Sequence, residues 1–535
     1  MKLKQIALIE DTEFRSLPKN FEINFSIQEM DSIDPKCIVG LNGSGKSNLL
    51  ELIAEIFFYI EIHLMYGKNM QNNKDFAFKI EYTLPPTVGN PHLSIDDSNM
   101  IGRPFDVKVE KTRNEHPKFY TKHTTGYKPV SKDFEDLLPN RIVGYSSGHN
   151  ELLSNPFLKM RFHYIEQLRS KRKSEQTNDL SQSRMFWMDK SNNNAIVIAN
   201  LLLGKKLGGK HIRNELGIFA VDSFEIVIDF ARSERQVTLS REIYDNIERL
   251  KSCSPFWYEE KKDTESDPTK IKIIFFVTYA VIQAFKHHFG SAQKLFEVFY
   301  QLQLLNLFEV PSKLVTKVLK NDDKSLNISE EIPFDPNQQV FSLRNIKLKK
   351  FACKGREFQI VKYNNLSDGE HQFLQIHGAM MMLNQNRNLF LFDEPETHFN
   401  PMWRSKMVQM FTKIASYKEN IAQDILLTTH SPFILSDSKK ENVIVFKKVN
   451  NVVSYETPSI KTFGTSIDLI NLHIFAKKES IANYALEKLD LLRAQIKDGT
   501  LSKSDALQLL MNFGDSFEKM LVINELKERE NSNDL

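Results

Sequence analysis

The sequence has few cysteines and no long apolar run. Its 535 residues include three cysteines, Cys37, Cys253 and Cys353, which are far apart and lack the spacing of metal ligands. We therefore expect free thiols in a reducing compartment, the cytoplasm, rather than disulfides or a zinc site. Because no run approaches the roughly 18 apolar residues of a membrane span, we expect no membrane association. The N-terminus also lacks the apolar core of a signal peptide.

The sequence has little net charge and no repeat of fixed period. Lysines and arginines number 71 and acidic residues 68, which leaves a net charge of +3. Attraction of the whole protein to nucleic acid is therefore weak, although local basic patches remain possible. Sustained heptads are missing as well, so the long coiled coils of some ATPases are not expected.

A glycine-rich loop stands between a strand pattern and a helix pattern. The loop satisfies the pattern G-x-x-x-x-G-K-S with Gly40, Leu41, Asn42, Gly43, Ser44, Gly45, Lys46 and Ser47. In such a loop, backbone N–H groups surround phosphate oxygens, Lys46 reaches the β- and γ-phosphates and Ser47 ligates Mg²⁺. The alternative, a simple glycine-rich turn, is disfavoured because an apolar strand (37–39) precedes the loop and helical spacing (49–57) follows it.

An apolar strand later in the chain ends in two carboxylates. Phe390-Leu391-Phe392 is followed by Asp393 and Glu394. A carboxylate at the end of such a strand meets the Mg²⁺ of a P-loop, which makes Asp393 the metal-side acid. Glu394 is then the candidate base for the attacking water. Taken alone, a strand that ends in an acidic turn is an equally good interpretation.

Two further motifs are weaker when each is taken alone. Ser367 and Gly369 come just before a predicted helix that starts near His371, where they could hold a γ-phosphate or simply cap the helix. His430 ends the apolar strand 425–429, where it could contact the γ-phosphate or serve only structure.

The four motifs, in this order, resemble the ABC-type ATPase head with its Walker A loop, signature, Walker B strand and switch histidine. The resemblance implies that two heads enclose ATP and Mg²⁺, with Ser367 and Gly369 of one copy completing the site of the other. Asp368 and Glu370 depart from the usual Gly and Gln of the signature. The segments 393–398 and 429–433 are similar to the SMC, RecF and OLD branch rather than to transporters.

The expected fold is α/β: a mixed-sheet ATPase head, split by a long and mostly helical insertion, with a helical C-terminal region. The expected domains are 1–150 with Walker A, the insertion 151–340, 341–460 with the other motifs, and the helical region 461–535. The run 271–307 is strongly apolar and is predicted to be mostly buried helix. The stretch 144–151 lies where the Q-loop of such a head falls, but it contains no glutamine.

We expect no nuclease within the chain. OLD-type nucleases resemble this head but carry a Toprim domain after it, with a later Asp-x-Asp. Only about 100 residues follow His430, and they contain no Asp-x-Asp and no HNH or zinc-like cluster. An ATPase of this type without its own nuclease is expected to act with a partner.

Four further segments resemble the PtuA ATPase of Septu and retron-linked bacterial defence systems. They are 14–19, 145–148, 462–464 and 513–519. The resemblance implies an oligomer that binds a separate HNH nuclease and, in retrons, a reverse transcriptase with its single-stranded DNA. ATP binding would then restrain the nuclease until infection.

The alternative function is a RecF/SMC-like DNA-binding ATPase in DNA repair. It predicts basic residues on the head surface, for which Lys171–Lys173 and the segment 347–356 are candidates. Such charge runs are more often solvated faces. A third hypothesis, a transport ATPase, has no visible coupling partner.

Overall fold

The computed structural model describes residues 1–27, 29–30, 33–67, 75–86, 103–148, 151–170, 184–204, 206–233, 240–261, 269–320, 328, 339–352, 357–383, 385–415, 422–477 and 479–533. Sheets and helices alternate through this part of the chain, and the predicted mixed α/β fold with a helical C-terminal region is confirmed. None of the described helices combines the length and the apolar character needed to cross a membrane.

The strands of the described residues are, in chain order, β1 (Lys2–Leu8), β2 (Glu22–Asn24), β3 (Lys36–Gly40), β4 (Phe78–Leu84), β5 (Phe105–Lys111), β6 (Lys118–His123), β7 (Gly126–Val130), β8 (Arg141–Ser146), β9 (Met185–Trp187), β10 (Ile218–Asp229), β11 (Phe256–Glu260), β12 (Lys270–Phe276), β13 (Phe341–Phe351), β14 (Phe358–Lys362), β15 (Asn388–Asp393), β16 (Gln423–Thr428), β17 (Val443–Val449) and β18 (Val452–Glu456).

The α-helices of the same residues are α1 (Lys46–Tyr66), α2 (Glu151–Ser170), α3 (Lys190–Leu203), α4 (Lys206–Leu216), α5 (Arg241–Ser252), α6 (Tyr279–Phe289), α7 (Ala292–Leu304), α8 (Ser312–Lys320), α9 (Asp368–Met382), α10 (Pro401–Ser405), α11 (Met407–Ala415), α12 (Pro432–Ser436), α13 (Ile467–Ile474), α14 (Asn483–Lys497), α15 (Lys503–Leu510) and α16 (Phe517–Asn533).

A seven-stranded sheet in the order β18-β17-β3-β16-β15-β8-β9 holds the predicted motifs. Its neighbouring strands are parallel except for the antiparallel edge pair β17–β18. Strands β3, β15 and β16 are buried along their whole length, which explains their continuous apolar runs. Because parallel strands share one carboxyl edge, the loops after β3, β15 and β16 and the end of β8 meet there.

Two antiparallel sheets flank this arrangement. The sheet β2-β1-β4-β5-β6-β7 shares a hydrophobic core with α1, the helix that follows the glycine-rich loop. The sheet β11-β12-β10-β13-β14 shares the other large core with α3, α7 and α9. A smaller core unites the C-terminal helices α14, α15 and α16.

The insertion is mostly helical, but it also contributes strands. The prediction of buried helix for 271–307 was wrong at its start, where Ile271, Ile273 and Phe275 are buried and alternate with more exposed residues of β12. Pairing with β10 and β11 favours the extended form of this β-branched run. Helices α6 and α7 follow as predicted, but only α7 is mostly buried, since α6 buries three of its 11 residues. The five-stranded sheet crosses position 340, and the domain boundaries stay a prediction.

Candidate nucleotide-binding site

At two positions of the glycine-rich loop after β3, the backbone conformation and the close neighbours leave room only for glycine. Gly40 has φ +148°, and a Cβ there would lie 2.3 Å from the carbonyl oxygen of Phe446. Gly45 has φ +95°, and its Cβ would come within 2.9 Å of the Ser16 hydroxyl. The backbone therefore turns tightly into α1, whose N-terminus faces the loop.

The loop encloses a buried ammonium group. Lys46 Nζ donates hydrogen bonds to the carbonyl oxygens of Gly40 at 3.0 Å and Leu41 at 3.2 Å. Burial lowers the pKa of Lys46, although the nearby carboxylates of Glu394 and Asp393 partly offset this effect. The charge is thus held inside the loop, where phosphate oxygens would replace the carbonyls as partners.

Other loop residues are also arranged for an anion. The Ser44 hydroxyl is buried without a hydrogen-bond partner among the described residues. Asn42 and Gly43 form the exposed tip of the loop. An unpartnered buried hydroxyl next to backbone N–H groups fits the oxygens of a triphosphate.

Asp393 lies opposite the loop and gathers three hydroxyl groups. Its Oδ1 accepts hydrogen bonds from Ser47 Oγ at 2.8 Å and Thr428 Oγ1 at 2.6 Å, and its Oδ2 accepts one from Ser146 Oγ at 3.4 Å. The structure thus brings together Ser47 and Asp393, as the motifs predict. Sequence reasoning missed Thr428 and Ser146, because their roles depend on the strand order.

Ser47 and Asp393 together fit Mg²⁺. A hydroxyl and a carboxylate are hard oxygen ligands, and protein-bound Mg²⁺ takes its other ligands from water and phosphate. No group of three or more His, Cys, Asp or Glu side chains that could hold a metal occurs within the described residues. Water and nucleotide phosphates are the kinds of ligand that would complete a Mg²⁺ site around this pair.

Glu394 and His430 face each other beside the loop. Glu394 adopts φ +48°, and its backbone N–H is fixed by the Thr428 hydroxyl at 3.0 Å. His430 Nε2 lies 3.4 Å from Glu394 Oε1. Hydrogen bonding to His430 is the main cause that holds the pKa of Glu394 below its usual value, with help from Lys46. Glu394 therefore stays ionised and able to accept a proton.

A second glutamate after β15, Glu396, differs from Glu394 in its burial and in the direction of its pKa shift. Glu396 is 4% exposed, and its Oε1 accepts a hydrogen bond from Thr429 while its Oε2 has no partner among the described residues. Burial raises the pKa of Glu396 to about 7. Only the sequence Asp393-Glu394-Pro395-Glu396 could have pointed to it, and the spacing alone assigns it no role.

The predicted signature residues stand at the N-terminus of α9. Ser367 caps this helix: its hydroxyl accepts from the N–H of Glu370 at 3.3 Å, and Glu370 Oε2 accepts from the N–H of Ser367 at 2.9 Å. Ser367 is exposed, while Gly369 is buried where a Cβ would lie 2.8 Å from the carbonyl oxygen of His398. The structure thus shows the cap, and the contact of these residues with a nucleotide stays a prediction.

The basic segments and the predicted Q-loop stretch are only partly within the described residues. Lys171–Lys173 and the end of the other basic segment, 353–356, lie outside the described residues, as do positions 149 and 150 of the predicted Q-loop stretch. Within that stretch, Tyr145 accepts a hydrogen bond from Gln372 of α9 at 3.0 Å, which links β8 to the signature helix.

Comparison with known families agrees with this geometry. Residues 205–436 match the family described as "AAA domain, putative AbiEii toxin, Type IV TA system". The matched range includes Ser367, Asp393, Glu394 and His430. The chain contains an AAA-type P-loop ATPase domain. The glycine-rich loop of this ATPase precedes the matched range and meets it at the edge of the central sheet.

Two individual proteins are similar to parts of the ATPase. Protein ea59 of Escherichia phage lambda is 24% identical over 98 residues, which are 18% of this chain and 18% of the phage protein. The SMC head domain from Thermotoga maritima has a TM-score of 0.33 and 13% identity, covering 86% of this chain and 100% of the head domain. Neither likeness is strong enough to assign a substrate or a partner.

Proposed function

We propose that the ATPase binds and hydrolyses ATP with Mg²⁺ in an ABC-type composite site shared by two copies of the chain. The observation that carries this proposal is the meeting, at one sheet edge, of the loop around Lys46, the Ser47–Asp393 contact and the Glu394–His430 pair. Phosphate binding, metal binding and water activation need these three features side by side.

Each residue then has a distinct task. Lys46 and the loop hold the phosphates, and bound Mg²⁺ would neutralise phosphate charge next to Ser47 and Asp393. Glu394 accepts the proton of the attacking water, and His430 holds the Glu394 carboxylate in place and contacts the γ-phosphate.

The second copy supplies the signature end of α9. Ser367 is exposed, and the first turn of α9 presents backbone N–H groups with the positive end of a helix dipole. Such an end suits the γ-phosphate held by another head. The active form is therefore a homodimer or a higher oligomer that closes around ATP.

Glu394→Gln tests the base. The variant keeps the loop and the Ser47–Asp393 pair but loses the proton acceptor, so we expect ATP to bind with near-normal affinity while kcat falls by about 100-fold or more. Equilibrium binding of ATP and steady-state release of phosphate measure the two effects. Lys46→Ala is the contrasting variant, because it should lose ATP binding itself. Normal turnover by Glu394→Gln would reject the assignment.

We further propose that the ATPase regulates a separate HNH-type nuclease in bacterial anti-phage defence of the Septu or retron type. Two of the segments that carry the resemblance are hydrogen-bonded to the rest of the fold. Ser16 accepts a hydrogen bond from Asn48 of α1 at 2.6 Å, and Thr462 donates one to the Ser438 carbonyl. The matched family's description, which names a toxin of a TA system, is compatible with such a role. A retron reverse transcriptase with its nucleic acid would be a further partner.

A nuclease partner is tested by co-expression with the neighbouring genes. We expect an HNH protein encoded beside this chain to co-purify with it, and its cleavage of DNA to depend on whether ATP is bound. Glu394→Gln should hold the pair in one of the two activity states. A neighbouring nuclease that neither binds this chain nor responds to ATP would contradict the proposal.

One observation favours the alternative function, a DNA-binding repair ATPase. Lys347 of β13 and Lys362 of β14 lie directly opposite each other, both exposed. Like charges in this position destabilise a strand pair unless an anion such as a DNA phosphate lies between them. Duplex binding that weakens steeply with salt, and weakens less steeply in Lys347→Ala, would favour repair over nuclease control.

A further inference from the structure

A cavity of about 160 Å³ lies between α4, α9 and the helices α10 and α11 that follow the Walker B strand. None of the residues assigned to ATP binding lines it. A cavity of roughly 150 Å³ holds one aromatic ring such as benzene. The space is therefore suited to a single-ring guest.

Aromatic side chains build one wall of the cavity. Phe373 and Phe399 are buried, and both rings pack against Trp403, with centroid distances of 5.4 and 5.6 Å. The Phe399 and Trp403 rings are nearly perpendicular, at 81°. Such a wall offers both faces and edges to another aromatic ring.

A histidine pair adds polar groups without partners. His211 lines the cavity, and its Nδ1 has no hydrogen-bond partner among the described residues. Its ring lies 5.0 Å from that of His377, which is fully buried and has neither nitrogen hydrogen-bonded to a described residue. Burial lowers the pKa of His377 to about 3 and also lowers the pKa of His211. Neutral imidazoles keep one donor and one acceptor each.

The charged residues that line the cavity are two lysines and one glutamate. Lys406 and Lys413 line it, together with one acidic residue, Glu215, whose carboxylate is 3.6 Å from Lys406 Nζ. Both lysines are exposed, and burial disfavours the charged form of both histidines. The lining therefore favours a guest with a negative charge.

We propose that this cavity binds a small aromatic anion, with its ring against Trp403 and its carboxylate or phosphate group near Lys406 and Lys413. The same chemistry occurs in a free metabolite and in a tyrosine of an acidic peptide segment. The size of the cavity limits either guest to one ring with short substituents.

The cavity also connects to both halves of the composite site. The Trp403 ring comes within 3.5 Å of the place of a Cβ on Gly369. Arg404, the next residue, donates hydrogen bonds to the carbonyl oxygens of Glu396 at 3.2 Å and Thr397 at 3.0 Å, and the Thr397 hydroxyl donates to the carbonyl of Glu394. A guest that moves Trp403 therefore changes ATP turnover, a consequence that rests on the proposed function.

Fluorine NMR of the protein labelled with 5-fluorotryptophan tests binding directly. The chain has three tryptophans, and Trp403→Phe assigns the resonance at the cavity. We expect sodium benzoate to shift the Trp403 resonance while the Trp187 and Trp257 resonances stay in place. Benzamide, which lacks the charge, should bind about tenfold more weakly, and acetate, which lacks the ring, should not shift it.

The peptide acetyl-Glu-Tyr-Glu-amide tests whether the bound aromatic ring belongs to a protein segment or to a free metabolite. Tighter binding of the peptide than of benzoate identifies a protein segment as the guest, and the reverse order identifies a free metabolite. Absence of a Trp403 shift with both probes would overturn the proposal, and equal affinity for benzoate and benzamide would overturn its anionic part.

Substitutions of residues that line the cavity, each with a matched control, test whether benzoate binds in the cavity itself. The double variant Lys406→Ala/Lys413→Ala should weaken benzoate binding about tenfold, whereas the exposed Lys448→Ala should not. Gln409→Phe at the mouth should block binding, and its matched control Gln409→Ala should keep it. Unchanged benzoate binding in Gln409→Phe would show that the guest lies elsewhere.

The effect on ATP turnover is measured separately, with benzoate added to the unmodified protein and to Gln409→Phe. We expect the rate of phosphate release to change only where the cavity is open. If benzoate shifts the Trp403 resonance but does not change the rate of phosphate release, the cavity binds the guest and the proposed effect on ATP turnover is rejected. An inactive protein that still binds benzoate rejects the proposed function instead.

Discussion

At the scale of single residues, the site depends on hydroxyl groups that hold carboxylates. Thr428 donates to Asp393 and accepts from the N–H of Glu394, so one side chain positions both the proposed metal ligand and the proposed base. We expect Thr428→Val, which keeps the shape and loses both bonds, to lower kcat/KM for ATP about 10- to 100-fold, as loss of an outer partner of a metal ligand does. Ser146→Ala, at the longer distance of 3.4 Å, should have a smaller effect. Equal activity of Thr428→Val and the unmodified protein would contradict this role.

Glu396 predicts a pH dependence of stability. Its pKa in the folded protein is about 7, well above the value near 4.3 of an unfolded chain. The folded state therefore binds more protons between these values, so stability falls as the pH rises from about 4.3 and through 7. Glu396→Gln cannot titrate and should remove this loss, which is on the order of 3 kcal/mol above pH 8. Thermal unfolding of both proteins at pH 5 and 8 measures most of it, and parallel pH profiles would disprove the assignment.

The residues of the candidate site could be predicted where they belong to one contiguous motif. Gly40, Lys46 and Ser47 share one short segment, and the pattern fixes their relative positions. The partners of Asp393 were not predictable in the same way. Thr428 and Ser146 come next to it only because β16 and β8 are its two neighbouring strands, an order that no local pattern encodes.

At the scale of elements, a buried ion pair joins β3 to β16. Lys36 Nζ lies 2.6 Å from Asp424 Oδ2, and their side chains are 1% and 0% exposed. Burial would raise the pKa of Asp424, but Lys36 and Lys2 hold it below its usual value. The pair therefore fixes the strand that delivers the glycine-rich loop next to the strand that delivers His430.

Breaking one side of this pair should be costly. Asp424→Asn leaves Lys36 buried and charged, and we expect a loss of about 3–5 kcal/mol in unfolding free energy. Lys36→Met combined with Asp424→Leu removes both charges and should recover most of the loss. Glu456→Gln breaks an exposed pair with Lys447 as a matched control and should cost less than about 1 kcal/mol. Denaturant unfolding compares the three, and equal costs for the buried and exposed pairs would contradict the argument.

Elements were predictable where composition and period agree. The strand 37–39 and the helix after the loop are present as β3 and α1, and the strand before Asp393 is present as β15. The prediction for the start of 271–307 failed because nearly all residues there, apart from Lys272, are apolar, and only pairing with β10 and β11 separates strand from helix.

At the scale of the whole molecule, the proposal requires two copies. Ser367→Arg places a long cation at the end of α9 that would meet the partner's nucleotide, so we expect ATP binding to persist while ATP-dependent dimerisation of Glu394→Gln is lost. Ser291→Arg removes the equivalent cap of α7 and should cost about 1 kcal/mol without changing dimerisation. Analytical ultracentrifugation with ATP distinguishes the two. Dimers that form equally in both variants would reject the composite site.

The central sheet also sets the order in which the molecule can become functional. Ser47 and Asp393 meet at one sheet edge, yet they are 346 residues apart in the chain. At ordinary rates of protein synthesis, the carboxylate is made roughly 20 to 70 s after the loop. A nascent chain thus has no complete ATP site until β15 and β16 have been made and inserted between β3 and β8. Under the proposed function, capture of Mg²⁺-ATP by a nascent chain therefore marks the insertion of β15 and β16 into the central sheet.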